Sequence, residues 1–283
     1  MAARGYINYL MEINWGSQDM PGDVRLPGID GSTVVLVTGG SGAIGSRCAE
    51  AFLSLGAKVA IMSRSKSSVD ATAERLAKVG EILAIAGDVS NEDDADRSVR
   101  EVLERWGRLD VLVTCAAIGG HSSVEETDAS LIDKMMSANV KGTLLMIRAA
   151  TAPMKAQEHG RIITVSSVMG HRATPYSFLY GASKAAVAHA TRSLAVELGP
   201  FGITVNCLSP ANTPTQLRAV EEAPGTPTDS KGHTPGSEGK LPLRRRGDFD
   251  DYVSPILFFA SDLASYVTGA DVLADGGLSL LRA

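Results

Sequence analysis

Cysteine is scarce in this chain. Its three residues, Cys48, Cys115 and Cys207, are odd in number and widely spaced, which supports neither a disulfide framework nor a zinc ribbon, and no metal site is expected. Aromatic residues are also few, at 5%, too sparse for the stacking platforms that hold single-stranded nucleic acid. Basic charge is not in excess. The 27 Lys and Arg stand against 32 Asp and Glu for a net charge of −5, the wrong sign for a binder of phosphate backbones. No apolar run approaches the roughly 18 residues that mark a membrane span. The opening MAARGYINYL lacks the apolar core and cleavage site of a signal peptide. A reducing cytoplasm is therefore the expected setting, with neither nucleic acid nor membrane as partner.

Glycine, by contrast, is plentiful: 29 of 283 residues, about 10% against a typical ~7%, so many backbone positions need close approach or positive φ. Residues 1–31 carry little periodicity and read as an N-terminal extension. From residue 32 to 283 short apolar runs alternate with amphipathic stretches. The runs fall at 34–38, 58–63, 81–89, 109–117, 161–167, 203–209 and 271–274; helical patterns fall at 44–55, 69–79, 92–106, 129–152, 180–198 and 250–260. Runs apolar on both faces belong to a parallel sheet covered on both sides. The alternation predicts one α/β domain, a doubly wound Rossmann-type sheet of about seven strands with helices on both faces. Residues 211–247 break the rhythm with five Pro and five Gly. A loop of that length after the sixth strand, beside the edge where ligands bind, is expected to be a substrate lid; the alternative is a tolerated insertion.

The run 34–38 leads into Thr38-Gly39-Gly40-Ser41-Gly42-Ala43-Ile44-Gly45 and then a helical pattern. Gly40, Gly42 and Gly45 satisfy G-x-G-x-x-G in the strand–turn–helix setting that motif requires, so backbone amides and a helix N-terminus can close on a pyrophosphate. Gly39, Ser41, Gly42, Ala43, Ile44 and Gly45 are thus candidate cofactor residues. The second run ends in Ser63-Arg64 with no acid. An acid there would bind the ribose hydroxyls of NAD, whereas Arg64 can hold the 2′-phosphate of NADP, so NADP is favoured over NAD unless Arg64 is merely solvated. Asp88 and Val89 end the third run, where Asp88 can accept from an adenine amino group or else cap the helix starting near Asn91.

Tyr180 and Lys184 stand four apart, on one helix face. That pair alone is weak evidence. It gains force from Ser167 at a strand end upstream and Asn139 in the long helical pattern before it. With these residues in order, the chain resembles the short-chain dehydrogenase/reductase family, in its Tyr-x-x-x-Lys branch, over about residues 32–280. The matching parts are Thr38, Gly39, Ala43 and Gly45; Asn139 in Asn-Val-Lys-Gly; Ser167; Tyr180 and Lys184; Val205-Asn206 through Pro210 to Thr215; and the terminal segment from Tyr266 to Gly277. Three positions depart from the family pattern. Ala43 replaces a glycine, Thr114-Cys115-Ala116-Ala117 replaces Asn-Asn-Ala-Gly, and Ala211 replaces a glycine after Pro210.

The resemblance implies an oxidoreductase acting between NADP(H) and a carbonyl or secondary alcohol, with Asn139, Ser167, Tyr180 and Lys184 as the catalytic set. Cofactor contacts are implied for Ala116, Pro210, Thr213 and Thr215, and for Tyr180 and Lys184 as well. Tyr180 would be the general acid/base, Ser167 would hold the substrate oxygen, Lys184 the nicotinamide ribose, and Asn139 a relay water. A free phenol titrates near pH ~10, so the Lys184 ammonium is expected to lower Tyr180. A homotetramer or dimer built through 129–152 and 180–198 is implied as well.

Other residues stay open between roles. His121 and His171 can line the substrate pocket or sit in exposed loops; Tyr176, Phe178 and Met169 can be walls or packing. Arg244, Arg245 and Arg246 can attract a carrier-bound acyl group or be surface charge, and Cys115 and Cys207 read as inert thiols in strands. The competing functions are a 3-oxoacyl-thioester reductase, an NAD-dependent secondary-alcohol dehydrogenase, and a nicotinamide-sensing module without turnover.

Overall fold

In a computed structural model, which describes residues 26–211 and 241–281, the apolar runs become strands. They are β1 Val34–Thr38, β2 Lys58–Ser63, β3 Ile82–Ala86, β4 Val111–Thr114, β5 Gly160–Val165, β6 Ile203–Pro210 and β7 Asp271–Ala274. All pair in parallel, in the order β3-β2-β1-β4-β5-β6-β7. The expected seven-stranded doubly wound sheet is what the chain forms.

The helices that cover it are α1 Ala43–Ser54, α2 Lys66–Leu76, α3 Glu92–Trp106, α4 Ala129–Met136, α5 Gly142–Gln157, α6 Phe178–Leu198 and α7 Phe249–Ala260. Strand periodicity sends alternate residues to opposite faces. Val35 and Val37 pack with Phe52 of α1 and Ile256 of α7 on one face. Val34 and Leu36 pack with Val99 of α3, Ile147 of α5 and Leu198 of α6 on the other. Local signals place the helix ends. Asn91 accepts from the Asp94 amide to start α3, Gly107 ends it at φ 76, and Asp248 and Asp251 form a reciprocal capping box on α7.

Several elements differ from expectation. The strand runs 81–89 and 109–117 yield shorter strands, because Asp88, Val89, Cys115 and Ala116 leave the sheet to line a cleft. The pattern 129–152 is not one helix. A π-helical turn at Ser137–Lys141 separates α4 from α5, widening the backbone where the Asn139 side chain bonds elsewhere. The sheet order reverses between β2 and β4 on either side of β1, which opens a crevice at the carboxyl ends of the strands. Among the described residues no helix is long and apolar enough to cross a membrane.

Candidate active site

The crevice is built first from glycines that nothing larger can replace. Gly39 has φ +65, and a Cβ on it would stand 2.8 Å from the Ala116 amide nitrogen. A Cβ on Gly40 would meet the Ile61 Cβ at 2.5 Å, and one on Gly45 would meet the Gly39 carbonyl oxygen at 2.3 Å. The turn therefore presses the start of α1 onto the ends of β1 and β2. Gly42 is the N-cap residue of α1, and no side chain caps it, so the first amides of the helix face the cleft. Ala43, the departure from glycine, is exposed and its methyl crowds nothing. Ser41 donates through both its amide and its hydroxyl to Ser63 Oγ, at 3.0 and 2.9 Å, tying the turn to the end of β2.

The resulting cleft measures about 1200 Å³, somewhat larger than the roughly 300–1,000 Å³ of most small-molecule pockets. Of the expected cofactor residues, Gly39, Ser41, Gly42, Ala43, Ile44, Gly45, Ser63, Arg64, Asp88, Val89 and Ala116 line it. Tyr180, Lys184 and Pro210 are not among its walls, and Thr213 and Thr215 lie outside the described residues. Arg64 is exposed and has no partner among the described residues. Asp88 is not a helix cap: its Oδ1 accepts from the amide and hydroxyl of Ser90, at 2.9 and 2.8 Å, while Asn91 caps α3. Sequence reasoning missed Lys134, Ser137 and Ala138 as cleft walls. They come from α4 and the π turn, and no local motif marks them.

Beside this cleft, at the end of β5, Ser167 has an extended backbone and its Oγ accepts from the Met169 amide at 3.2 Å. Its side chain also lies close enough to Tyr180 to favour the ionised phenol. One helical turn beyond Tyr180, Lys184 is buried, donates from Nζ to the Val165 carbonyl at 2.8 Å, and sits 5.8 Å from the Tyr180 ring centroid. Burial pushes Tyr180 above the usual tyrosine value, opposed by Ser167. The expectation that Lys184 would lower it is corrected, since desolvation is the larger effect. Burial also pulls Lys184 down to about 8, against the nearby thiols of Cys207 and Cys115.

Asn139 is fully buried in the π turn. Its Oδ1 accepts from the Ile118 amide at 2.8 Å, and its Nδ2 donates to the Ile118 carbonyl at 2.9 Å and to Ser183 Oγ at 3.0 Å. The side-chain amide is thus wholly engaged in joining the segment after β4 to α6. Only its carbonyl remains for a relay water, and that already accepts from Thr143 Oγ1 at 2.9 Å.

The residues left open take definite places. His121 Nδ1 pairs with Ser177 Oγ at 2.9 Å. His171 turns from the substrate side to Asp271 Oδ2 at 2.8 Å. Tyr176 and Phe178 are exposed, and Met169 Sδ accepts from Thr174 Oγ1 at 3.2 Å. Arg245 forms a forked ion pair with Asp251, so that member of the arginine run braces α7. Cys115 is not in a strand but in the cleft wall, where burial pushes its thiol to about 12; Cys207 is buried in β6 at about 11. Of the expected lid 211–247, only Ala211 and residues 241–247 are described. There, Tyr252 Oη donates to the Ala211 carbonyl at 2.6 Å.

Comparison with known proteins agrees with this geometry. Residues 39–279 match a family model described as enoyl-(acyl carrier protein) reductase. The chain is 38% identical over 247 residues to an uncharacterized oxidoreductase of Thermotoga maritima, covering 86% of this chain and 96% of that protein. It is 36% identical over 268 residues to a cyclohexanol dehydrogenase of a Rhodococcus species, covering 87% and 96%. A crystal structure of a putative short-chain alcohol dehydrogenase from Sinorhizobium meliloti superposes with a TM-score of 0.81 at 29% identity, over 92% of this chain and 99% of that one.

Proposed function

The chain belongs to the short-chain dehydrogenase/reductase family, and from that premise we propose that it interconverts a ketone and a secondary alcohol with NADP(H), using Tyr180 as proton donor and acceptor. The observation that carries this reading is buried Lys184 one helical turn from Tyr180, with Ser167 at the adjoining strand end, beside the glycine-walled cleft.

The residues present fit a dinucleotide, because a Cβ at Gly39, Gly40 or Gly45 would collide with its neighbours and the uncapped α1 start offers amides to a pyrophosphate. A nicotinamide held there would supply the hydride for the carbonyl carbon or accept it from the alcohol carbon. Ser167 holds the substrate oxygen and stabilises the charge that develops on it. Tyr180 Oη delivers its proton to that oxygen in reduction and removes it in oxidation. Because burial alone raises the phenol, the positive charge of Lys184 is needed to stabilise phenolate once the proton has left. Asn139 acts as a clamp that fixes Ser183, and with it the α6 turn carrying Lys184.

Arg64, exposed in the cleft wall at the end of β2 and with no acid beside it, supports NADP over NAD. A ketone or alcohol is favoured over a carrier-bound thioester because Arg245 is already paired with Asp251. The test is a panel of cyclic and acyclic ketones, secondary alcohols and 3-oxoacyl thioesters with each cofactor, alongside cofactor titrations of wild type and Arg64→Ala. Charge-assisted bonds of about 1.5–3 kcal/mol correspond to a roughly 10- to 150-fold loss of NADPH affinity, with NADH nearly unchanged. Equal losses for both cofactors, or a wild-type preference for NADH, would refute the NADP assignment. Turnover of thioesters alone would refute the ketone.

A further inference from the structure

Ser167 does not hold its own position. Its Oγ and carbonyl accept from the Met169 and Gly170 amides, at 3.2 and 2.9 Å, so the tight turn that follows sets where the hydroxyl points. On one side this turn rests against α6 through glycines. A Cβ on Gly170 would stand 2.9 Å from the Ala185 amide nitrogen, and one on Gly181 would stand 2.7 Å from the Met169 carbonyl oxygen. Such contacts are close but offer no side chain to grip.

On the other side the turn is tied down by hydrogen bonds to residues about 100 positions away. His171 Nε2 bonds Asp271 Oδ2 at 2.8 Å, and Asp271 Oδ1 accepts from Ser209 Oγ at 2.7 Å. Arg172 Nη1 donates to the Leu278 carbonyl at 3.0 Å. The Asp271 side chain is only 9% exposed, and His171 is its one basic partner among the described residues. A carboxylate this buried needs its donors, and without His171 the Ser209 hydroxyl would be the donor left to it among the described residues.

We propose that His171 is a positioning residue. Through Asp271 it pins the turn after Ser167 to β7, which keeps the Ser167 hydroxyl near Tyr180. This rests on the role given above to Ser167. An imidazole whose Nε2 carries a proton donates to Asp271 Oδ2.

The test compares His171→Leu, which keeps bulk but has no donor, with His171→Gln, which keeps an amide N–H near the place of Nε2. Amide hydrogen exchange of residues 166–172 in the full-length, nucleotide-free protein reports on the turn without any turnover. Misplacement of a substrate-positioning group by about 1 Å can cost on the order of 100-fold. The Leu variant should therefore show exchange about 10-fold faster in the turn and kcat about 10-fold lower with NADPH and a ketone from the panel. Its NADPH affinity should stay within about 2-fold, and the Gln variant should stay near wild type in all three. Unchanged exchange in the Leu variant, or equal damage in the Gln variant, overturns the proposal. Faster exchange with unchanged kcat also overturns it, leaving a merely structural pin. Should His171→Leu not fold, His171→Leu with Asp271→Asn removes the carboxylate charge and must still show fast exchange in the turn. If wild type reduces no ketone, the functional reading fails, while the exchange result still decides whether the turn is pinned.

Discussion

The two edges of the sheet each bury a cation, and they treat it differently. At the carboxyl edge Lys184 is 3% exposed, and among the described residues its hydrogen bond goes to the Val165 carbonyl. At the amino edge Arg161 is 6% exposed, reaches the Gly160 carbonyl at 3.3 Å and Asp262 at 3.5 Å, and leaves Nε without a partner. Burial lowers both from their ordinary values. Lysine can lose its proton in response, whereas arginine stays charged.

The surroundings separate the two. Lys184 lies one helical turn from Tyr180 and close enough to Cys115 in the cleft wall to act on its thiol. Arg161 belongs to a closed end. There Arg108 forks onto Asp110, Asp110 accepts from the Val34 amide at 2.9 Å, and Asp262 accepts from Arg161 while its own amide donates to the Pro27 carbonyl at 2.7 Å. Similar burial thus sits beside the candidate site at one edge and within a cluster of hydrogen bonds and ion pairs at the other.

The sharpest way to break this contrast is Tyr180→Phe, which keeps the ring and removes the proton. General acid–base catalysis is typically worth 10²–10⁴-fold. Steady-state kinetics should show kcat lower by about 100-fold or more with nucleotide binding intact. Retention of more than about a tenth of kcat would place the proton donor elsewhere.

Lys184→Met should come next, cutting kcat by about 100-fold while raising the melting temperature. Folded Lys184 sits at about 8 against 10.5 in the unfolded chain, so its burial costs roughly 3 kcal/mol before its hydrogen bond is counted. Below pH 8 both states hold the proton and that cost is present in full. Between 8 and 10.5 the unfolded chain binds more protons than the folded one, so wild type regains stability as pH rises. Thermal melts at pH 7 and pH 10 should show the variant's advantage shrinking; a constant difference would disprove the account.

Arg161→Met is expected to give the smallest effect. Asp262 is 58% exposed in its side chain, so removing the guanidinium strands no buried charge. The melting temperature should stay level or rise by the equivalent of about 1–2 kcal/mol, with kcat unchanged within about 2-fold and no pH dependence. A large loss of activity would erase the distinction between the two edges.

The glycine turn and the Tyr-x-x-x-Lys pair were legible because each depends on spacing within one strand–turn–helix unit or one helical turn. The span of α3 was legible as well, but its cap was not: Asp88 was the candidate, and Asn91 takes that place. The strand rhythm was legible for a related reason: apolar runs in a parallel sheet are buried on both faces and so are written without a break.

Other features were decided only when distant segments met. Asn139 reads as a helix residue, yet its amide is taken by Ile118, 21 positions away, and Ser183, 44 away, and the helix opens into a π turn. His171 stays open between pocket and exposed loop until β7 brings Asp271 against it, 100 positions on. Lys134 and Ser137 enter the cleft wall from a helix that carries no nucleotide motif, and Tyr180 rises rather than falls because its surroundings exclude water. Periodicity and spacing encode what a residue does within a few positions of itself. Burial, and the partner a buried polar group must then find, depend on which other segments the sheet order sets beside it.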